Sequence, residues 1–163
     1  MGLTLPSTLE ILLNDLGFTW PEVDETELAA AGQAWLGLGG QLAGITGSTH
    51  TAISQLTRVN QGEAMDAFLA QWSGQDAPAS VLADATTGVQ VGGAAILTCA
   101  AIALALKVTT IVNLTILAFE VAEALATAVP TFGASLAEIP VFKEITSRII
   151  GAVVNEAVVA VMG

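Results

Sequence analysis

The stretch from Val89 to Val129, 41 residues long, is apolar on every face of a helix yet carries Lys107, Asn113, Glu120 and Glu123 inside it. A helix that is greasy all round is either the core of a helical assembly or a membrane span. Whatever surrounds those four polar residues therefore constrains the whole fold. No turn signal interrupts the pattern around Lys107, so one helix from about Ala79 to Val129, roughly 75 Å at 1.5 Å per residue, is expected in place of two short spans. Pro130, Phe132 and Gly133 end it.

The rest of the composition points the same way. At 163 residues the chain is one domain long, 53% of it is hydrophobic, Tyr is absent and Gly reaches 16. Cores of that kind are built from long helices packed closely through small residues, because β-rich cores draw on more aromatics. The expected fold class is all-α: a long antiparallel helical hairpin extended into a second hairpin, forming an elongated helical bundle.

Charge excludes whole classes of function. Fifteen Asp and Glu face Arg58, Lys107, Lys143 and Arg148, and no Lys or Arg precedes residue 58. Nucleic-acid binding needs a basic surface to displace counterions from phosphates, and none can be assembled here. A Sec-type signal peptide needs a positive n-region, so a location outside the cell or at its envelope would be reached by a Sec-independent route. Cys99 and His50 are the sole residues of their kinds. They read as a small core hydrophobe and a surface helix residue, with no metal centre or Cys/His pair implied.

Along the chain, Ser7 with Glu10 makes a capping box before Ile11, Leu12, Leu13 and Leu16, and Gly17 closes that short helix. Phe18 to Pro21 reads as an extended linker. Asp24 with Glu27 makes a second capping box and opens the first long helix. From Leu28 the apolar positions hold a seven-residue repeat, with Leu28, Trp35, Leu42, Thr49 and Leu56 at one position and Ala31, Leu38, Ile45, Ala52 and Val59 at the other. Such a seam marks a helix lying lengthwise on another helix. Gly32, Gly37, Gly39, Gly40, Gly44 and Gly47 weaken the helix by about 1 kcal/mol each relative to Ala, so it needs its partner, and glycines beside the seam let a neighbouring backbone approach.

Asn60, Gln61 and Gly62 make a turn, after which Met65, Phe68, Leu69 and Trp72 return at helical spacing as the second arm of a hairpin. Ser73 to Pro78 interrupts that arm, with Asp76 as a cap for the long apolar helix. Ser135 with Glu138 caps a last helix that starts near Pro140 and runs to about Met162, carrying Glu144 and Arg148 at i,i+4 spacing. The expected organisation is an N-terminal helix and linker over 1–23, a hairpin over 24–97 and a second, apolar hairpin over 98–163. Its pairing seam is Leu28, Trp35, Leu38, Leu42, Ile45 and Leu56 on Met65, Phe68, Leu69 and Trp72.

Nothing in the sequence resembles a catalytic constellation: there is no Ser/His/Asp arrangement, phosphate loop or clustered set of metal ligands, so no enzyme and no cofactor is expected. Gly39-Gly40 and Gly92-Gly93 are doublets inside helical patterns. Glu120 and Glu123 read as a solvated stripe at a helix end, or as an ion site if the helix lies in a membrane.

At the hairpin the chain resembles the WXG-motif superfamily of type VII secretion substrates, and more closely the WXG-like N-terminal domains of actinobacterial polymorphic toxins, a group with a channel-forming member. The residues that carry the likeness are Leu5-Pro6 with the leucine-rich first helix, Gly17 to Trp20-Pro21, Asp24 to Leu28, Trp35, Gly62 to Phe68 with Trp72, and Gly133 to Leu136. Two departures stand out. The superfamily's Trp-x-Gly turn is Asn60-Gln61-Gly62 here, and its Tyr-x-x-x-Asp/Glu export signal has as its nearest counterpart Phe119-x-x-x-Glu123.

The resemblance implies a non-enzymatic targeting or interaction domain of a secreted, toxin-like protein. Its partners would be a second copy or a small WXG-type helical protein, together with the secretion machinery. The alternative it leaves open is a membrane-inserting channel or translocation module using residues 89–129 and 140–162.

Overall fold

The computed structural model describes residues 2–162, and among them every regular element is helical. In chain order these are α1 (Ser7–Asp15), α2 (Glu25–Val59), α3 (Glu63–Trp72), α4 (Pro78–Ala126), a 3₁₀ turn (Ala134–Glu138) and α5 (Ile139–Met162). The all-α expectation holds, and the apolar stretch is one uninterrupted helix. The chain divides into two compact units: one joins the residues up to Leu28 with those from Cys99 onward, and the other is Ala29–Thr98.

In the first unit the core is Leu13, Leu114 and Ile150, all but inaccessible to solvent. They bring together α1, the second half of α4 and α5. Leu5, Leu9, Leu12, Leu16, Phe18, Trp20 and Val154 pack around them. The N-terminal helix, to which the sequence assigns no packing partner, therefore contributes a central residue of this unit. It starts differently from the expected capping box. The Pro6 carbonyl accepts the amides of Leu9 and Glu10 at 2.9 and 3.0 Å, and Ser7 already stands in the first turn with no side-chain cap made. Gly17 ends the helix as expected, at φ +85°, where its amide reaches the Asn14 carbonyl at 3.0 Å.

Asp24 does cap α2, its Oδ1 accepting the amides of Thr26 and Glu27 at 3.0 and 3.1 Å. Beside it, Lys107 is only 2% exposed in the middle of α4. Its Nζ donates to Glu25 Oε2 at 2.7 Å and to the Val23 carbonyl at 2.6 Å, and it lies 5.6 Å from the centre of the Trp20 ring. Glu25 in turn accepts the Leu3 amide, and Asp24 accepts the Gly2 amide at 2.8 Å. The cation that looked anomalous in an apolar helix is the anchor of the N-terminal segment.

At the far end of α4, Ser135 departs from its expected capping role: its hydroxyl is buried and donates to the Ala124 carbonyl at 2.7 Å, tying the 3₁₀ turn back onto α4. The Glu144–Arg148 pair forms as the i,i+4 spacing implies, at 2.5 Å on the surface.

In the second unit α2 meets the first half of α4 backbone against backbone. A methyl group on Gly32 would stand 3.0 Å from the Gly93 carbonyl oxygen and 2.8 Å from Leu97 Cγ, and one on Gly93 would stand 3.1 Å from the Gly32 carbonyl oxygen and from Leu36. A side chain at either position would require its neighbours, Leu97 and the facing backbone among them, to shift. The turn ahead of α3 is glycine-dependent too. Gly62 holds φ +117° and its carbonyl accepts the amides of Met65 and Asp66. Asp76 falls short of its expected cap position, because α4 opens on Pro78 and the preceding residue is the buried Ala77, whose carbonyl accepts the Val81 amide.

These contacts set two expectations for stability. Leu13→Ala costs about 2–5 kcal/mol in chemical denaturation, the usual range for emptying a buried leucine site; a loss well below that range would remove α1 from the core. Gly32→Val costs about 1–3 kcal/mol by forcing the backbones apart. Gly40→Ala, where an added methyl meets nothing within 4 Å, stabilises α2 by up to about 1 kcal/mol. Equal effects of the two glycine substitutions would show that the α2–α4 approach does not depend on Gly32.

Candidate helix-pairing interface

The heptad seam of α2 and the face that α2 turns toward α4 are different faces of one helix. Gly32 lies on Gly93 and Leu97, Leu36 on Gly93, and Gly39 on Gln90; Ala43, Thr46 and His50 line a cleft with Ala83 and Thr86. That contact runs through 32, 36, 39, 43, 46 and 50, one residue beyond the seam positions 31, 35, 38, 42, 45 and 49. One residue is about 100° around a helix.

The displacement leaves much of the seam at the surface. Trp35, Leu38, Ile45 and Leu56 are each 43–53% exposed, whereas Leu28 and Leu42 are half-buried. Trp35 keeps one edge against Gly92. Leu28 belongs to the first unit, where it lines an apolar cleft with Ile102 and Leu106. On the return arm Met65, Phe68, Leu69 and Trp72 are half-buried, and Phe68 stacks on Trp72 with ring centres 6.1 Å apart.

Polar groups along the stripe are turned inward. Thr49 donates its hydroxyl to the Ile45 carbonyl at 2.8 Å, and Ser48 donates to the same carbonyl at 2.9 Å. Hydroxyls satisfied by their own helix leave the outer surface less polar than its sequence suggests.

Elsewhere, Phe119 is 73% exposed and Glu123 is exposed one turn on, at the end of α4. Glu120 is half-buried. Among the described residues no group of His, Cys, Asp and Glu is arranged to hold a metal ion. The outer face of α2 offers apolar side chains at helical spacing.

These features define, as a class, an all-α protein whose long helix carries an exposed apolar stripe. The WXG100-like domain pattern matches residues 8–149, and the chain belongs to that family. The family is a non-enzymatic, helical one associated with type VII secretion, and its domains act through helix–helix contacts between proteins. No curated protein and no solved structure matches this chain.

The Lys107 cluster gives the fold a pH signature. The hydrogen bond from Lys107, followed by the Leu3 amide, holds the Glu25 carboxyl below its ordinary value of 4.5. The Glu27 amide draws the Asp24 carboxyl below its ordinary 3.8; burial partly opposes the shift, and the Gly2 amide adds to it. Both folded values are lowered, so the stabilisation is fully present above the ordinary carboxylate range and is lost as pH falls through the lowered values. Denaturation curves are therefore expected to fall in stability only below about pH 4.5, the ordinary value for glutamate. Lys107→Met lowers stability at neutral pH and flattens that acid limb. Pairing it with Glu25→Leu restores part of the loss, because two apolar groups leave no charge stranded. An unchanged acid limb in Lys107→Met would detach Glu25 from the cluster's energetics.

Proposed function

We propose that this chain is a non-enzymatic targeting and interaction domain of a type VII secreted, toxin-like protein, working by laying the outer stripe of α2 against a second copy of itself or a small helical partner. The observation that supports this reading most directly is the exposure of Trp35, Leu38, Ile45 and Leu56 on a helix whose adjacent face already makes the contact with α4 through Gly32 and Gly39. Helices of that kind gain by burying the stripe, at roughly 25 cal/mol per Å² of apolar surface. In this reading Gly62 sets the angle between the two arms that a partner recognises, and Phe119 with Glu123 serves as the export signal. The chain would leave the cell by the type VII route.

A second reading rests on a specific feature of α4 and α5. α4 and the stretch Ala134–Met162, which contains α5, are long and apolar enough to cross a membrane, with windows of mean hydropathy 2.2 and 1.6, and only 17% and 11% of those windows are buried. Leu104, Val108, Val112, Ile116 and Phe119 form an exposed stripe along α4. On that reading the domain inserts as a channel or translocation module.

One set of experiments separates the two. Culture medium is compared from cells with and without an active type VII ATPase, carrying the unaltered chain, Gly62→Val, Glu123→Ala, or Leu38→Glu with Ile45→Glu. Export is expected to require the ATPase and to fall with Gly62→Val. The double substitution is expected to weaken pairing by at least about tenfold, since each pairing event would bury two new charges. Export that continues without the ATPase sinks the secretion reading. Release of entrapped dye from liposomes by the unaltered protein at neutral pH favours the membrane one.

A further inference from the structure

The N-terminal segment, residues 2–24, lies on α4 and α5 with little to hold it by packing alone. Leu13 is its one buried side chain, and the apolar residues beside it, Phe18 and Trp20 among them, are half-buried. Fixing the backbone of so long a segment costs conformational entropy at every residue, which a single buried leucine does not offset. α1 has nine residues, and helices shorter than about 12–15 residues are marginal on their own in water. Off the α4–α5 pair, α1 does not persist as a helix.

Two carboxylate–ammonium contacts fasten the segment, one on each side of the Phe18–Pro21 linker. Asp15, at the end of α1, pairs with Lys143 of α5 in the open, where such a contact contributes little. Glu25 pairs with Lys107 at 2.7 Å, and the two side chains are 7% and 3% exposed. Here the loss of one partner matters. A neutral Glu25 leaves the ammonium with the Val23 carbonyl and the Trp20 ring, and a buried charge stripped of its counter-charge strongly disfavours the state that buries it. Hydration relieves it, and Gly2, Leu3, Trp20 and Pro21 of the same segment line the small cleft at Lys107. The contact of α4 with α5 has no comparable weakness. Leu114 and Ile150 meet in its core and the Ser135 hydroxyl binds the Ala124 carbonyl, and none of these titrates.

We propose that residues 2–24 are an acid-released strap: a proton on Glu25 strands the Lys107 ammonium, the strap lifts away, and α4 and α5 stay paired with the face beneath it uncovered. The Glu25 carboxyl lies below its ordinary value of 4.5 because Lys107, and then the Leu3 amide, hydrogen-bond it. Its closing effect is therefore complete at neutral pH and is lost as pH falls below about 4.5 through the lowered value. The other charges around Lys107 act in the same sense. Asp24 and Glu22 share its small cleft, and Glu156 of α5 lines the neighbouring cleft with Leu106 and Thr109; all three are acids and lose charge together with Glu25. The strap depends on neither the secretion nor the membrane reading.

The test is hydrogen exchange read by mass spectrometry on the full chain, from neutral pH down to about pH 3, each rate divided by that of an unprotected amide at the same pH. Peptides from α1 report the strap, and peptides from α5 and from the part of α4 around Leu114 report the pair beneath it. At neutral pH all are expected to be protected. Below about pH 4.5 the protection of α1 is expected to fall at least about tenfold while that of α4 and α5 is kept, because a stranded buried charge is worth more than that factor.

Two variants separate the strap from general acid unfolding. Glu25→Gln strands Lys107 at every pH, so α1 should exchange at neutral pH as fast as it does in acid in the unaltered chain, with α4 and α5 still protected. Lys107→Met combined with Glu25→Leu leaves no charge to strand, so α1 should stay protected in acid. The proposal is overturned if α1 and α5 lose protection together as pH falls, if α1 stays protected in acid in the unaltered chain, or if the double variant still opens there. Glu25→Gln with α1 closed at neutral pH overturns it too, and so does Glu25→Gln with α4 and α5 unfolded, since the strap is then not separable from them.

Discussion

One buried cation organises the first unit. An ammonium in the middle of an apolar helix has to be solvated by something, and isolated burial of such a charge costs many times the net stability of a domain. Lys107 is met by a carboxylate, a backbone carbonyl and an aromatic face, and all three come from residues 20 to 25. The N-terminal segment is thereby held in one register on α4. Leu13 reaches Leu114 and Ile150 because α1 sits ahead of that anchor on a short linker. Buried ion pairs are seldom a large net source of stability, and their best-attested role is to specify arrangement. Here the pair makes residues 2 to 25 part of the domain.

In the second unit glycine determines which surfaces of α2 remain exposed. Each glycine in α2 weakens the isolated helix, but at Gly32 and Gly93 the missing side chains let two backbones come so close that a methyl group would crowd the facing carbonyl at 3.0–3.1 Å. Because the intramolecular contact passes through Gly32, Leu36 and Gly39, the leucines and isoleucine of the heptad are rotated out of it. Close packing through small residues and display of large ones are two results of the same placement.

This is also where the sequence was legible and where it was not. The single helix across Lys107, the start of α2 after Asp24, the turn at Gly62 and the i,i+4 pair of Glu144 and Arg148 follow from local rules: capping, turn chemistry, an absence of breakers. Periodicity marked an apolar face on α2 because leucine and isoleucine carry the hydrophobic signal, while glycine carries none. The face used within the chain is recognisable only from steric room, which a sequence shows weakly. Ser7 and Ser135 each looked like a cap and neither serves as one: Pro6 supplies the start of α1, and Ser135 is taken by the Ala124 carbonyl eleven residues away. The partner of Lys107 lies 82 positions distant, beyond the reach of any local pattern. Membership of the WXG100-like family was legible across α1 to α5, though the Phe132 turn was visible only as a helix end.

The distribution of charge then limits how such a chain recognises anything. Three of its four cations are occupied in ion pairs with its own carboxylates: Lys107 with Glu25, Lys143 with Asp15 and Arg148 with Glu144. What remains at the surface is largely acid and hydrocarbon. Acid alone gives long-range repulsion between copies and attraction to any basic partner, with little geometric selectivity. Selectivity has to come from the fit of apolar side chains, such as those exposed along α2, α4 and α5 and at the Phe132 turn. Each is carried on a helix or a pinned turn whose backbone is already committed by internal hydrogen bonds. A surface of that kind needs little further ordering to meet a complementary shape.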